Sequence, residues 1–316
     1  MDASSQPNHA RRSFTLVELL AVIVIIGILA SLITAAAIGA RNAARNATIS
    51  FEISQLDMAL KAYKQQYGNY PPDFAGVNHT DDAIRAQAQY AVLAHMRRAF
   101  PKYVPGRVSG CTGTPWECFI ADIEQETGAS DIAANLHPAM ALVFWLGGMP
   151  QGSTKAGGFS ADPQRPFRLV GTRQDPLFEF DEGRLVPLGS AYAYVPNADS
   201  SAITPYVYFR RQYIRLDSNG DPLVKQYTSP TSELVAPYLG NPEGAPPQFV
   251  KDRTFQILSA GLDAQYGTIS TEIAPIYEIP EAYNVTPVFP SGINYGDGHY
   301  DNLSNFARGK LEDEMP

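Results

Sequence analysis

The chain has 316 residues, enough for one large domain or two small ones. Apolar residues make up 45% of it, sufficient for a proper core, and charged residues only 18%. A formal net charge of -8 argues against a nucleic-acid groove, which needs a basic stripe, and against DNA uptake as the main role.

Residues 1–12 are polar and end in Arg11-Arg12. They are followed by Ser13-Phe14-Thr15-Leu16-Val17-Glu18-Leu19-Leu20 and then by an apolar run without charge from Leu19 to Ala40. As a helix this run is about 33 Å long, enough to cross a hydrocarbon core. A secretory signal peptide has a shorter apolar region and a small-residue cleavage site after it, which this run lacks. Arg11 and Arg12 favour a cytoplasmic N-terminus, although Arg41 and Arg45 on the far side weaken that charge argument. Glu18 is the residue to explain. A charge at membrane depth costs roughly 2.5–3.5 kcal/mol on insertion scales, so it needs a partner. A glutamate that merely snorkels to the interface is the plain alternative.

The string S-FTLVELLAVIVIIGILASL resembles the processing motif of the type IV pilin and type II secretion pseudopilin superfamily. The match covers about 25 residues, with Ser13 where the family usually has Gly. The resemblance implies that a prepilin peptidase cuts before Phe14 and that the new N-terminal amine is methylated. It also implies that Glu18, at the fifth mature position, pairs with the amine of a neighbouring subunit. Residues 1–13 are then a cytoplasmic leader and 14–40 a transmembrane helix.

Ile49, Ile53, Leu56, Leu60, Tyr63 and Tyr67 fall on one face of an amphipathic helix over 41–68, with Glu52, Gln55, Lys61 and Gln65 opposite. Gly68 and Pro71-Pro72 stop it. Residues 69–316 read as one exported domain. Helices are expected over Ala83–Phe100 and Asn135–Leu146. Strands are expected at Arg168–Val170, Ala191–Val195, Tyr206–Phe209, Tyr213–Leu216 and Thr254–Leu258. Met149–Pro166 and Gly240–Pro247 read as loops, and Asp217–Asp221 as a tight turn. The fold class is therefore α+β: a long N-terminal helix, half transmembrane and half amphipathic, packed on an antiparallel sheet with helical and loop insertions.

Cys111 and Cys118 lie in the loop-like string CTGTPWEC. A local disulfide is the plain reading for an exported domain, and two free thiols are the alternative. Scattered histidines, and the lack of a nucleophile elbow or phosphate loop, give no enzymatic reading. Trp116 and Trp145 read as packing residues.

The tail strings Ser259-Ala-Gly-Leu-Asp263 and Gly296-Asp-Gly-His-Tyr-Asp301-Asn302 resemble the C-terminal loops of major pseudopilins. That resemblance implies a structural calcium held by Asp263, Asp301 and Asn302, with the Leu262 carbonyl and Asp297 as additional ligands. Some 30 residues separate the two strings, and Asn302 stands where a second Asp is usual. An acidic, solvated turn without an ion is the alternative.

The resemblance as a whole implies a structural subunit of a type II secretion pseudopilus. Such a subunit is anchored by a single pass in the inner membrane with its C-terminal domain in the periplasm. It is polymerised through an inner-membrane assembly platform into a piston-like filament. Its partners are identical or homologous pilin-like subunits, the prepilin peptidase and membrane lipid, with no nucleic acid. The alternative is a minor pilin or pseudopilin at the tip, binding cargo or a surface through residues 101–250.

Overall fold

The computed structural model describes residues 16–151, 155–196, 204–210, 213–216, 222–230, 232–241, 248–268 and 286–316. Ser13 and Phe14, the Asp217–Asp221 turn and most of the 240–247 loop lie outside the described residues. The chain divides into two compact units, Met1–Arg45 and Asn46–Pro316.

In the first unit, the described residues belong to helix α1, Leu16–Tyr67. Large side chains from Leu16 to Ile38 are exposed on every side of this helix. A helix apolar all round needs lipid or protein around it. Its length and composition suffice to cross a membrane. Its hydroxyls are satisfied within the helix: Ser31 Oγ donates to the Ile28 carbonyl at 2.7 Å and Thr34 Oγ1 to that of Ala30 at 2.8 Å. Such back-bonding meets the demand that polar groups in lipid find internal partners.

In the second unit, α1 turns one face inward. Ile49, Ile53, Leu56, Leu60 and Tyr63 are buried, whereas Phe51 and Met58 remain exposed. Gly68 ends the helix in the left-handed region, its N–H returning to the Lys64 carbonyl at 2.8 Å.

The buried face of α1 shares a core with one side of a three-stranded antiparallel sheet, ordered Leu303–Ser304, Gln256–Ser259, Val207–Phe209. The register pairs Gln256 with Phe209 and Leu258 with Val207. Strand alternation then sorts the side chains. Tyr206, Tyr208 and Ile257 join the α1 core, while Val207, Phe209 and Leu258 join a second core with Tyr238, Tyr266 and Tyr295. The sheet is therefore covered on both faces, which is why the Gln256–Ser259 strand is buried throughout. A separate hairpin, Leu185–Leu188 with Ala191–Tyr194, turns through Gly189 and Ser190. Gly189 has φ 61°, and a Cβ there would collide with the Asn135 amide. Tyr213–Leu216 pairs with Pro222–Val224.

Helix α2, Asp82–Ala99, is capped by the Asp81 carboxylate, which accepts from Ala83 N and Ile84 N at 2.8 and 3.0 Å. Some expectations need correction. Met149–Pro166 is not wholly a loop, since Pro150–Gln151 pairs antiparallel with Lys155–Ala156. The CTGTPWEC string is not wholly a loop: Thr114 and Glu117 form a capping box that starts helix α3, Pro115–Thr127. Asn135–Leu146 is not one helix. A four-residue helix α4, Ile132–Asn135, is followed by a turn and then a wide helical turn at Val143–Gly147. Arg168–Val170 forms no strand, and Val170 is exposed.

Candidate functional site

Glu18 lies in the first turn of α1. Acidic groups are favoured there because the helix dipole places partial positive charge at its N-terminus.

The part of α1 in the second unit carries another carboxylate, which the sequence pattern puts on the wrong face. Glu52 is buried, not on a solvated face, at the wall of a cleft of about 1050 Å³. Its carboxylate accepts from Tyr194 Oη at 2.9 Å and Tyr206 Oη at 2.5 Å, and it pairs with the Arg184 guanidinium. Arg184 also lies over the Tyr194 ring, 4.4 Å from its centroid, and donates to the Val195 carbonyl at 2.9 Å. This cluster ties α1 to the 185–194 hairpin. A hint lies in the helical spacing, because Glu52 is three residues after Ile49 and four before Leu56 and so shares their face.

Other buried acids act alike. Asp73 accepts from Lys225 Nζ at 2.6 Å and from Arg210 N at 2.8 Å. Asp122 on α3 accepts from Tyr103 Oη, Gly106 N and Ser109 N at 2.8–2.9 Å, organising the segment before the cysteines. Burial and the Asp122 charge both push the Tyr103 phenol pKa up, so it stays a donor. Cys111 and Cys118 are joined in a disulfide. Trp116 and Trp145 are buried, and Trp145 Nε1 donates to the Pro72 carbonyl at 2.8 Å.

The C-terminal strings do meet. Asp301 Oδ2 accepts from Leu262 N at 3.1 Å and Asp263 N at 3.3 Å. The approach requires Gly261, where a Cβ would lie 2.3 Å from the Asp301 carbonyl oxygen. Burial raises the pKa of both Asp263 and Asp301, the effect of removing carboxylates from water. Asn302 donates through Nδ2 to Tyr238 Oη and the Tyr266 carbonyl, both at 2.9 Å. The buried oxygens Asp301 Oδ1 and Asn302 Oδ1 have no hydrogen-bond partner among the described residues. Asp297 is exposed, and its carbonyl accepts from Thr268 N at 3.0 Å. Among the described residues, no three of His, Cys, Asp and Glu are grouped so as to hold a metal ion. The donors are nonetheless of the type calcium takes: two carboxylates brought together and orphaned oxygens beside them. In donor chemistry they suit that ion, which Asp263, Asp301 and Asn302 would hold. The ion would supply charge neutralisation and crosslinking of the tail.

Residues 8–34 match the model of the prokaryotic N-terminal methylation motif. The chain is 35% identical over 84 residues to type II secretion system core protein G of Klebsiella michiganensis, covering 26% of this chain and 59% of that protein. It is 36% identical over 111 residues to the protein of the same name from Pectobacterium carotovorum subsp. carotovorum, covering 35% of this chain and 65% of the relative. The chain thus carries a prepilin-type methylation motif and is similar over part of its length to type II secretion pseudopilins. The match spans 59% and 65% of the length of these two relatives, and most of this chain lies outside the matched region. No solved structure matches it.

Proposed function

We propose that this chain is a structural subunit of a type II secretion pseudopilus. The observation that carries the reading is the methylation motif over residues 8–34, which ends within an apolar helix long enough to span a membrane. In this reading a prepilin peptidase cuts between Ser13 and Phe14, and the new amine is methylated. Glu18 then pairs with the N-terminal amine of a neighbouring copy. Two charges that are each costly in lipid become tolerable as a pair, and the pairing fixes the stagger between subunits. An inner-membrane platform assembles the subunits, and the domain beyond α1's apolar half faces the periplasm.

A second reading, a minor subunit that binds cargo or a surface, draws support from the cleft and from the extent of chain beyond the matched region. Overproduction of the full chain in a bacterium with a working secretion apparatus separates the two. A filament-building subunit yields long sheared filaments composed of this chain; cells that process it but make none would overturn the major-subunit reading.

We also propose that Asp263, Asp301 and Asn302 hold calcium. Binding to the folded state alone adds about 2.7 kcal/mol at a hundredfold excess over Kd. The melting temperature of the full chain in detergent should rise with calcium and fall with a chelator. Asp263→Asn should abolish the rise. Asp301→Ala is a poorer probe, because it also removes the bonds to Leu262 N and Asp263 N. Melting indifferent to millimolar calcium would leave only an acidic turn.

A further inference from the structure

The charges in the exported unit are segregated. Between Ala83 and Trp116 there are five Lys and Arg and no Asp or Glu, in a chain of net charge -8. The remaining 19 cations share the rest of the chain with all 32 carboxylates. Arg85 is taken up by Asp82. Arg97, Arg98, Lys102 and Arg107 are exposed on the last turn of α2 and the segment after it. Tyr90, also exposed, lies two helical turns before Arg97 on the same side, with the Arg97 guanidinium 5.7 Å from its ring centroid. None of these four cations makes an ion pair among the described residues. This is an unpartnered helix face with an aromatic residue and a concentrated positive charge.

A cluster of exposed negative charge lies elsewhere in the same unit. Asp175, Glu179, Asp181 and Glu182 fall within eight residues and line the 1050 Å³ cleft. Glu182 approaches Lys155 at 3.7 Å, and Asp181 caps the turn at Gly183. Asp175 and Glu179 make no ion pair among the described residues.

We infer that the basic end of α2 on one copy docks against the acidic rim of the 175–182 cleft on a second copy. The argument is charge complementarity. A ridge of long cationic side chains matches a concave surface rimmed by carboxylates, and among the described residues Arg97, Arg98, Lys102 and Arg107 on the one and Asp175 and Glu179 on the other make no ion pair. An anionic lipid surface is the poorer partner, because it would have to accept a body that carries 30 of the chain's 32 carboxylates, all but Asp2 and Glu18. The contact joins two different patches, so it is heterologous, and repetition builds an open array unless the rotation closes a ring. Exposed pairs are individually weak, about 0.2–1 kcal/mol each, so several together set register and partner choice. The inference rests on the filament reading and adds a surface to it.

The test uses the full chain in nonionic detergent, mixing copies of natural and heavy-isotope composition. A zero-length carboxyl-to-amine crosslinker should join Lys102 to Asp175, Glu179, Asp181 or Glu182 in mixed-isotope peptides. Raising the salt to 1 M should reduce their yield severalfold, as screening requires. Arg97→Glu with Arg98→Glu should lower it by about tenfold, the sum of a few exposed pairs. Mixing that variant with copies carrying Glu179→Arg and Asp181→Arg should restore it, which misfolded chains could not do. Crosslinks within single copies only, a lack of rescue, or loss of binding to phosphatidylglycerol vesicles in place of lost crosslinks would each overturn the inference. If filaments form normally from both charge-reversed chains, this contact falls and the filament reading stands. If Phe14 is never generated as an N-terminus, the filament reading falls on separate grounds.

Discussion

Glu18 is a carboxylate in the first turn of a helix whose large apolar side chains are exposed on all sides. If its role is to pair with a neighbouring amine, Glu18→Val should insert into the membrane at least as well as the parent, because a charge is removed from the apolar segment. Filament yield should nevertheless collapse. Normal yield from Glu18→Val would refute the pairing. Glu52 illustrates the opposite use of the same residue type. Removing it as Glu52→Ala leaves Arg184 and two tyrosine hydroxyls without their acceptor. Breaking a buried pair in this way costs about 3–5 kcal/mol, readable as a lower denaturation midpoint. His95 gives a pH signature. It is buried against Trp145, with Nε2 2.8 Å from Tyr63 Oη, and burial lowers its pKa to about 3. The unfolded state therefore takes up a proton that the folded state refuses between about pH 6.5 and 3. Stability should fall as pH drops through that window, by about 1.4 kcal/mol per unit for this group. His95→Gln should flatten the slope; an unchanged slope would assign the acid sensitivity to other groups.

At the scale of elements, α3 shows how local signals were available but overshadowed. Thr114, Pro115 and Glu117 are cap, first-turn proline and capping-box acid in their usual order. The short cysteine spacing drew attention to a loop instead. The disulfide itself was legible, since the two cysteines of the chain sit only seven residues apart. Replacing both with Ser should destabilise the protein by about 2.5 kcal/mol in the chain-entropy model for so small a loop. Thiol labelling of the untreated protein should find neither cysteine reactive. The strands at 191–194, 207–209 and 213–216 follow from their Tyr- and Val-rich alternation. Arg168–Val170 has similar composition but no partner strand, and pairing is what makes a strand stable.

For the molecule as a whole, the long helix, the α+β class and the pilin-like character were legible because each depends on local pattern. Apolar length, helical periodicity and a short N-terminal motif are all contiguous in sequence. The tertiary contacts of Glu52, Asp73 and Asp122 were not legible, because their partners lie up to 154 residues away. The tail was partly legible: resemblance brought Asp263 and Asp301 together, whereas the exposed Asp297 and the hydrogen-bonded amide of Asn302 emerge only from packing. The central claim is that this chain is processed and assembled as a pilin-like subunit. Mass spectrometry of the native N-terminus, on protein from cells with a prepilin peptidase, tests it most directly. A chain that begins at Phe14 and carries one added methyl group is the predicted result. An intact Met1, or a cut after the apolar run near Ser31 or Ala37, would contradict it.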